Sequence, residues 1–315
     1  MSVKHFVVAL ALVAAFAVGR TPARAQTPAV VHVAALPTDN SGNVYFALDL
    51  GYFKSAGLDV QLETIGNGSA AATGLASGAI DVAQSVVSGT AAAHLRGIDL
   101  KLFAPSVNAT PRGETNAVVV PKDSPAKTAA DLNGKTFGIL TVKSIQQVMA
   151  MAWADKSGGD SKTLKFIEIP YPQMPSALAQ HVVDAVIVTE PFLTIAKTSG
   201  RVLAYHPEDA IAPSFVAVAW GATGAWLQTH ADVAKRFTAA VVKAGVWANA
   251  HPSESGDILI KYSKMDPALM HSMARGVYAT TLDPALVQPV LDASAKYGAL
   301  DRTFPAAEIL WAPPK

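Results

Sequence analysis

Short apolar runs alternate with longer amphipathic stretches along most of the chain. The runs are rich in β-branched residues and end in polar or Gly-rich loops, which is typical of buried strands, and the stretches between them repeat near every 3.6 residues, which predicts helices. The predicted strands are 30–35, 58–64, 80–84, 100–105, 115–120, 136–140, 165–169, 182–188 and 215–220. The predicted helices are 44–54, 70–77, 86–95, 145–156, 175–180, 230–249, 253–263, 266–274 and 283–297. This alternation indicates an α/β fold with a mostly parallel sheet.

One pattern occurs twice, about a hundred residues apart. Leu75-Ala-Ser-Gly-Ala-Ile-Asp-Val82 and Leu178-Ala-Gln-His-Val-Val-Asp-Ala185 each place a helix end, a break and an apolar strand around an aspartate. The repeat predicts two similar α/β lobes, and such lobes commonly hold a ligand between them. We assign residues 26–118 and 214–315 to lobe one and residues 119–213 to lobe two. The chain then crosses twice between the lobes, and the crossings form a hinge.

The first 25 residues predict a cleaved export signal. Lys4 and His5 form a basic start, an apolar run covers 6–18, and Ala23-Arg-Ala25 is a small-x-small cleavage signal. The apolar run is shorter than the roughly 20 residues that a membrane span needs. Because the chain has no cysteine, a lipid anchor at the cleavage point, thiolate metal ligands and a cysteine nucleophile are excluded. We therefore expect a periplasmic protein without a direct membrane anchor.

Charge argues against a nucleic-acid partner. The chain has 25 Lys and Arg residues against 24 Asp and Glu residues. The predicted signal takes three of the basic residues, which leaves 22 against 24 in the mature chain. A nucleic-acid binder needs a basic face, and this chain contains no run of basic residues that would form one. Nucleic acid is therefore not an expected partner, and the predicted pair of lobes points to a small molecule instead.

Four segments carry a resemblance to a known family. They are Asp49-Leu-Gly-Tyr-Phe-Lys-Ser-Ala-Gly-Leu-Asp-Val60, Leu75 to Val82, Asp131-Leu-Asn-Gly-Lys-Thr136 and Asp184-Ala-Val-Ile-Val-Thr-Glu-Pro-Phe192. In order and spacing, over roughly residues 30–225, they resemble the signatures of type II periplasmic solute-binding proteins. The most similar branch binds nitrate, taurine, aliphatic sulfonates and thiamine-precursor pyrimidines. The resemblance implies a monomeric subunit without a cofactor that hands a captured solute to an ABC permease in the inner membrane.

Polar loops after the predicted strands supply candidate ligand contacts, because ligands of open α/β sheets bind beyond the carboxyl ends of the strands. The loops 66–69 and 141–144 occupy matching positions in the two lobes, each between a strand and a helix, where free N–H groups favour an anion. A plain tight turn at 66–69 and an N-cap at Ser144 are the alternatives. The candidate contacts are Asn40, Asn43, Tyr45, Gly68, Ser69, Gln84, Ser85, Thr141, Ser144, Glu190, Phe192 and Trp220.

Several of these candidates have structural interpretations that the sequence leaves open. Asn40 and Asn43 could make local turn bonds instead. Glu190 could bind an amino group of a ligand, or it could be the acidic first-turn residue of a helix. The two aromatic candidates after residue 190 could pack in the core. Arg112, just before the first crossing, would suit a sulfonate or a carboxylate, but arginine is also common on surfaces.

Catalysis is not expected. The eight histidines form no HxH or HxxxH pair that would bind zinc, and no Gly-x-Ser-x-Gly elbow occurs. The loose dinucleotide fingerprint at 66–71 lacks its acidic partner at the end of the next strand. The sequence thus predicts a binding protein that closes over a small organic anion, such as a sulfonate or a carboxylate. A pyrimidine-type heterocycle partnered by Glu190 is one alternative, and a periplasmic enzyme or sensor built on the same lobes is another.

Overall fold

The computed structural model describes residues 27–65, 68–110 and 113–314, in which eleven strands form two sheets. The strands are β1 (Ala29–Ala35), β2 (Leu58–Thr64), β3 (Val82–Val86), β4 (Leu100–Ala109), β5 (Asn116–Pro121), β6 (Thr136–Ile139), β7 (Lys165–Glu168), β8 (Ala185–Thr189), β9 (Gly200–Tyr205), β10 (Phe215–Thr223) and β11 (Val277–Tyr278). Lobe one has the sheet order β11-β4-β10-β3-β1-β2, and lobe two has the order β7-β6-β8-β5-β9. The predicted two-lobe α/β fold is confirmed.

Helices cover the sheets. They are α1 (Gly42–Asp49), α2 (Tyr52–Ser55), α3 (Gly68–Ser77), α4 (Val87–Leu95), α5 (Ile145–Lys156), α6 (Met174–Ala179), α7 (Phe192–Ala196), α8 (Gly224–Thr229), α9 (Ala231–Ala250), α10 (Pro252–Ser263), α11 (Pro267–Ser272) and α12 (Pro284–Lys296). The helix predicted over 44–54 is broken, because Gly51 takes a left-handed conformation with φ of 70° between α1 and α2. In the described part of the chain, no helix has the length and apolar character of a membrane span. The predicted export signal lies outside the described residues.

The repeated aspartates make the same contacts in both lobes. The Asp81 carboxylate accepts the N–H of His32 at 2.8 Å, and the N–H of Asp81 donates to the His32 carbonyl at 2.9 Å. Asp184 makes the same pair of bonds with Thr136, each at 2.9 Å. Each aspartate directly precedes its strand, β3 or β8, and bonds that strand's start to the neighbouring parallel strand. The sequence repeat corresponds to a structural repeat.

Two crossings join the lobes. β4 ends at Ala109 and β5 begins at Asn116, and the return passage covers 206–214. β5 pairs with β8 and β9, so this strand lies wholly in the sheet of lobe two. The predicted division at 118–119 falls within β5. Our division of the chain into lobes stays a prediction.

Each sheet is mixed rather than mostly parallel, because the strand that follows each crossing runs antiparallel to its neighbours. β1, β2 and β3 are parallel, whereas β10 is antiparallel to β3 and β4. β6 is parallel to β7 and β8, and β5 is antiparallel to β8 and β9. Both crossings therefore join the edge where the parallel strands of lobe one end to the edge where those of lobe two end. Both carboxyl edges therefore lie on the side of the crossings, and the predicted cleft is the space between them.

A buried carboxyl group links the two crossings. Glu208, in the return passage, is 1% exposed. Its Oε1 accepts a hydrogen bond of 3.3 Å from Nδ2 of Asn116, at the start of β5, and lies 3.6 Å from Nδ1 of His206. Its Oε2 has no partner among the described residues. Burial raises the pKa of Glu208.

Candidate functional site

The loop after β1 forms the lobe-one side of the cleft, and a buried glutamine fixes it. Oε1 of Gln84, on β3, accepts the N–H of Leu36 at 3.0 Å and the hydroxyl of Ser41 at 2.5 Å. Asn40 is half-buried in this loop, and its side-chain amide has no hydrogen-bond partner among the described residues. The candidate contact Asn40 therefore lies at the cleft edge with its donors available.

Asp39 anchors the same loop to the C-terminal part of lobe one. Its carboxylate accepts hydrogen bonds from Nε and Nη2 of Arg275 at 3.0 and 2.7 Å, from the Gly276 N–H at 2.6 Å and from the Tyr278 hydroxyl at 2.7 Å. The side chains of Asp39 and Arg275 are 3% and 13% exposed. Although burial disfavours the charged guanidinium, the Asp39 carboxylate raises the pKa of Arg275 above its usual value. This ion pair, 236 residues apart in sequence, was not predicted.

The loop after β6 forms the lobe-two side. Its backbone is held by side chains, because the N–H groups of Leu140 and Val142 donate to Gln146 and Glu168 at 3.1 and 2.8 Å. Ser144 is the N-cap residue of α5, yet its hydroxyl makes no capping bond. Its Oγ is buried without a partner among the described residues. The N-cap alternative for the Ser144 side chain is thus not realised here, whereas the other predicted contact of this loop, Thr141, is exposed.

An aromatic pair lies at the same edge of lobe two. Tyr171 follows β7 and Phe192 follows β8, and their rings stack at 4.9 Å with an angle of 14°. Both side chains are half-buried. The Tyr171 hydroxyl accepts a bond of 2.5 Å from Nε2 of Gln146, and burial raises the pKa of Tyr171. Gln146 and Tyr171 were not among the predicted contacts, although the Pro170-Tyr-Pro172 segment after a strand was a usable signal.

Glu190 lies where lobe two meets lobe one and the first crossing. Its carboxylate accepts the N–H and the hydroxyl of Thr194, at 3.0 and 2.8 Å, which is the bonding expected of an acidic residue at a helix start. Its own N–H donates to the Thr115 carbonyl at 2.9 Å. Burial raises the pKa of Glu190, and the opposing effects come from Thr194, from Lys197 and from the Ala274 backbone of lobe one. Glu190 is therefore bonded within lobe two and to the end of the first crossing.

Three predicted contacts lie inside lobe one instead of in the cleft. Asn43 and Trp220 are fully buried. Nε1 of Trp220 donates to Oδ1 of Asn43 at 3.1 Å, and Nδ2 of Asn43 donates to the Pro105 carbonyl at 3.0 Å. Tyr45 is 1% exposed and donates its hydroxyl hydrogen to the Leu36 carbonyl at 3.1 Å. Because their polar atoms are paired inside the core, these residues are corrected to structural roles and leave the proposed site.

The remaining candidates have mixed placements. Ser85 donates its hydroxyl hydrogen to the Ala83 carbonyl on its own strand at 3.1 Å. Gly68 begins α3, next to Ser69, in the first turn after the loop that follows β2. Arg112 lies outside the described residues. Among the described residues no group of three His, Asp or Glu side chains could hold a metal ion.

The sequence also matches the model of a protein family. Residues 38–255 match the family described as NMT1/THI5 like. The chain belongs to this family. Its match to a curated formylaminopyrimidine-binding protein of Halalkalibacterium halodurans has 24% identity over 220 residues, 69% of this chain. The chain spans 65% of that relative's length, which is just under two thirds.

Solved structures of binding proteins share the fold. The ligand-binding component of an ABC-type import system from Staphylococcus aureus aligns with a TM-score of 0.75 at 18% identity, over 90% of this chain and 96% of that one. The periplasmic aliphatic sulphonate-binding protein SsuA of Escherichia coli aligns with a TM-score of 0.74 at 16% identity, over 91% and 94%. With the family match, these neighbours confirm the resemblance stated from the four sequence segments.

The fold also occurs in an enzyme. The desulfurization enzyme DszB aligns with a TM-score of 0.66 at 14% identity, over 90% of this chain and 96% of that one. At this identity the likeness extends to the fold alone. It shows that two lobes of this type can carry catalysis as well as binding, so function must be argued from the site.

Proposed function

We propose that the protein is the extracytoplasmic solute-binding subunit of an ABC importer. The observation that carries this proposal is the pair of carboxyl edges on the side of the two crossings, in a chain of the NMT1/THI5-like family. A ligand that contacts both edges stabilises the closed arrangement over the open one, which is how such a hinge couples capture to closure. Delivery to a permease in the inner membrane follows from the import systems that share the fold.

The ligand of the main proposal is a small organic anion of the sulfonate or carboxylate type. Ser144 supports it, because its buried hydroxyl, which has no partner among the described residues, lies at the start of the 12-residue helix α5 and can donate to an anion beside the N–H groups of the first turn. Asn40 adds, from the opposite lobe, an amide that has no partner within the described part of the chain. The sulphonate-binding protein that shares the fold agrees with this ligand class.

A pyrimidine-type heterocycle is the second candidate. The stacked rings of Tyr171 and Phe192 favour it, because half-buried aromatic faces at a cleft edge bind planar rings well. The curated formylaminopyrimidine-binding relative points the same way. An amino group of such a ligand would have to share the Glu190 carboxylate with Thr194, which already donates two bonds to it.

We further propose that the mature protein begins near Gln26 in the periplasm and acts as a monomer without a lipid anchor. The sequence signal at 1–25 and the absence of cysteine support this proposal. Binding rather than catalysis is proposed, because the family and most fold neighbours described above are binding proteins. The sensor or enzyme alternative predicts turnover of a bound compound, which is directly measurable.

A thermal-shift panel tests the proposal. The mature protein is heated with sulfonates, aromatic carboxylates, nitrate and pyrimidines, and a ligand should stabilise it as RT ln(1 + [L]/Kd). Ser144→Ala should weaken the binding of an anion. Ser253→Ala, which changes a serine on the exposed start of α10, should leave this binding unchanged. If only pyrimidines stabilise the protein, and Glu190→Gln abolishes this effect, the proposal of an anionic ligand is contradicted. Stabilisation by no member would contradict the binding function, and turnover would favour the enzyme.

A further inference from the structure

Two glutamines play the same part at the two edges of the cleft. Oε1 of Gln84 accepts the N–H of Leu36, and Oε1 of Gln146 accepts the N–H of Leu140, at 3.0 and 3.1 Å. Each leucine is the first residue after the strand that leads into the cleft, β1 in lobe one and β6 in lobe two. The glutamines come from different elements, since Gln84 lies on β3 and Gln146 on α5. The shared feature is therefore the bond and not a sequence repeat.

Each glutamine makes a second bond that closes its loop. The Ser41 hydroxyl donates to Oε1 of Gln84, so this side chain holds both ends of the loop 36–41. Nε2 of Gln146 donates to the Tyr171 hydroxyl, so this side chain joins the segments that follow β6 and β7. Tyr171 in turn stacks on Phe192 after β8. In lobe two this amide thus joins two segments directly, and it reaches the segment after β8 through the ring stack.

The energetic consequence lies in the order of the loops. The two glutamines are 6% and 7% exposed, so their bonds to the leucine N–H groups form with little competition from water. Without the amide oxygen, each leucine would present a donor with no strand partner, and the loop would sample other conformations to satisfy it. Ordering such a loop at the moment of binding costs affinity, whereas a loop held beforehand avoids this cost.

We propose that Gln84 and Gln146 are positioning residues that hold the two ligand-binding loops in their binding geometry before the ligand arrives. This inference rests on the proposed binding function. Gln146 is the more informative of the two, because it sets the position of Ser144 through α5 and the position of the Tyr171–Phe192 pair through its amide nitrogen. Neither glutamine needs to touch the ligand for this role.

Gln146→Met tests the inference, because methionine has a similar length and shape but makes neither bond. The panel ligand that stabilises the wild-type protein is titrated into the variant by calorimetry. The variant loop has to be ordered at the moment of binding, and this cost should weaken binding roughly tenfold. Hydrogen exchange at the Leu140 amide, measured without ligand, should become faster. Gln61→Met is the matched control, because Gln61 is exposed on β2 and bonds only with Asp59 in the described chain.

Tyr171→Phe is the second variant, and it carries the test if Gln146→Met fails to fold. It keeps the ring stack and removes one of the two bonds, so the loops are less ordered before binding and affinity should fall severalfold. A lower melting temperature with unchanged affinity in both variants would show a merely structural role and overturn the inference, while the binding function would stand. If no panel ligand binds the wild-type protein, the binding function fails and the inference fails with it.

Discussion

The Asp39–Arg275 pair offers a sharp test of how the cleft loop is held. Replacing Asp39 by Asn keeps the shape of the side chain but removes the charge that opposes a guanidinium only 13% exposed. Arg275 remains cationic in the variant, because a guanidinium is not deprotonated in proteins even when its carboxylate partner is removed. The variant therefore leaves a buried charge without its partner, which costs about 3–5 kcal/mol in proteins. That is a large part of a typical domain stability of about 5–15 kcal/mol.

The assay is denaturant and thermal unfolding of the mature protein. At about 2 °C for each kcal/mol in a chain of this size, Asp39→Asn should lower the melting temperature by roughly 6–10 °C. Asp232→Asn is the control, because Asp232 is 81% exposed and pairs with Arg236 on the helix surface, where such pairs contribute about 0.3–0.5 kcal/mol.

Combining Asp39→Asn with Arg275→Met removes the second charge and tests the cause. The double variant should recover part of the lost stability. Removing both charges of a buried pair costs much less than leaving one of them buried without its partner. A loss below about 1 kcal/mol in Asp39→Asn would refute the reasoning. A double variant less stable than the sum of the single changes would refute it as well.

Three further results are expected. Gly51→Ala should lower the unfolding free energy by about 1–2 kcal/mol, because φ is 70° there. Gly89→Ala, inside α4 with open space for the added Cβ, should raise it by roughly 0.5–1 kcal/mol. Trp220→Phe should lose at least about 1–3 kcal/mol, since it leaves the buried Oδ1 of Asn43 unpaired, and should not change ligand affinity. Glu208→Gln should become more stable relative to the wild-type protein as pH rises from about 4 to 7.

The sign for Glu208 follows from burial. Its pKa is raised in the folded protein, so the folded state holds a proton that the unfolded state has already lost. The contribution of Glu208 to wild-type stability therefore declines as pH rises through this interval. Glutamine has no proton to lose. The measurement is the difference in unfolding free energy between variant and wild type across pH. Glu63→Gln, which changes an exposed glutamate, is the control. A difference that does not change with pH for Glu208→Gln would contradict the expectation.

For Trp220→Phe, the contradicting result is weaker ligand binding at full stability. For Gly51→Ala, the contradicting result is a more stable protein.

The sequence by itself determined the elements and the family. Local periodicity reports which positions a strand or helix turns toward apolar surroundings, so α5 was predicted at its observed bounds of 145–156 and β2 at 58–64. The repeated aspartates signalled two similar lobes, because their contacts join neighbouring parallel strands within each lobe. Polar residues after strand ends place the proposed site at the carboxyl edge of each sheet, and this placement stays a prediction. Two short strands, β9 and β11, were missed, since both gain their partners from distant parts of the chain.

Only the tertiary structure decided which polar residues reach the cleft. In α1 the six residues 42–47 are all buried, because the helix packs against α9 and α10 as well as the sheet, and periodicity does not reveal such a covering. Asn43 therefore bonds with Trp220, 177 residues away, instead of with a ligand. The Asp39–Arg275 pair and the bond between Gln146 and Tyr171 likewise join separate elements. A side chain's partner depends on how whole elements pack, and that information is spread over the entire chain.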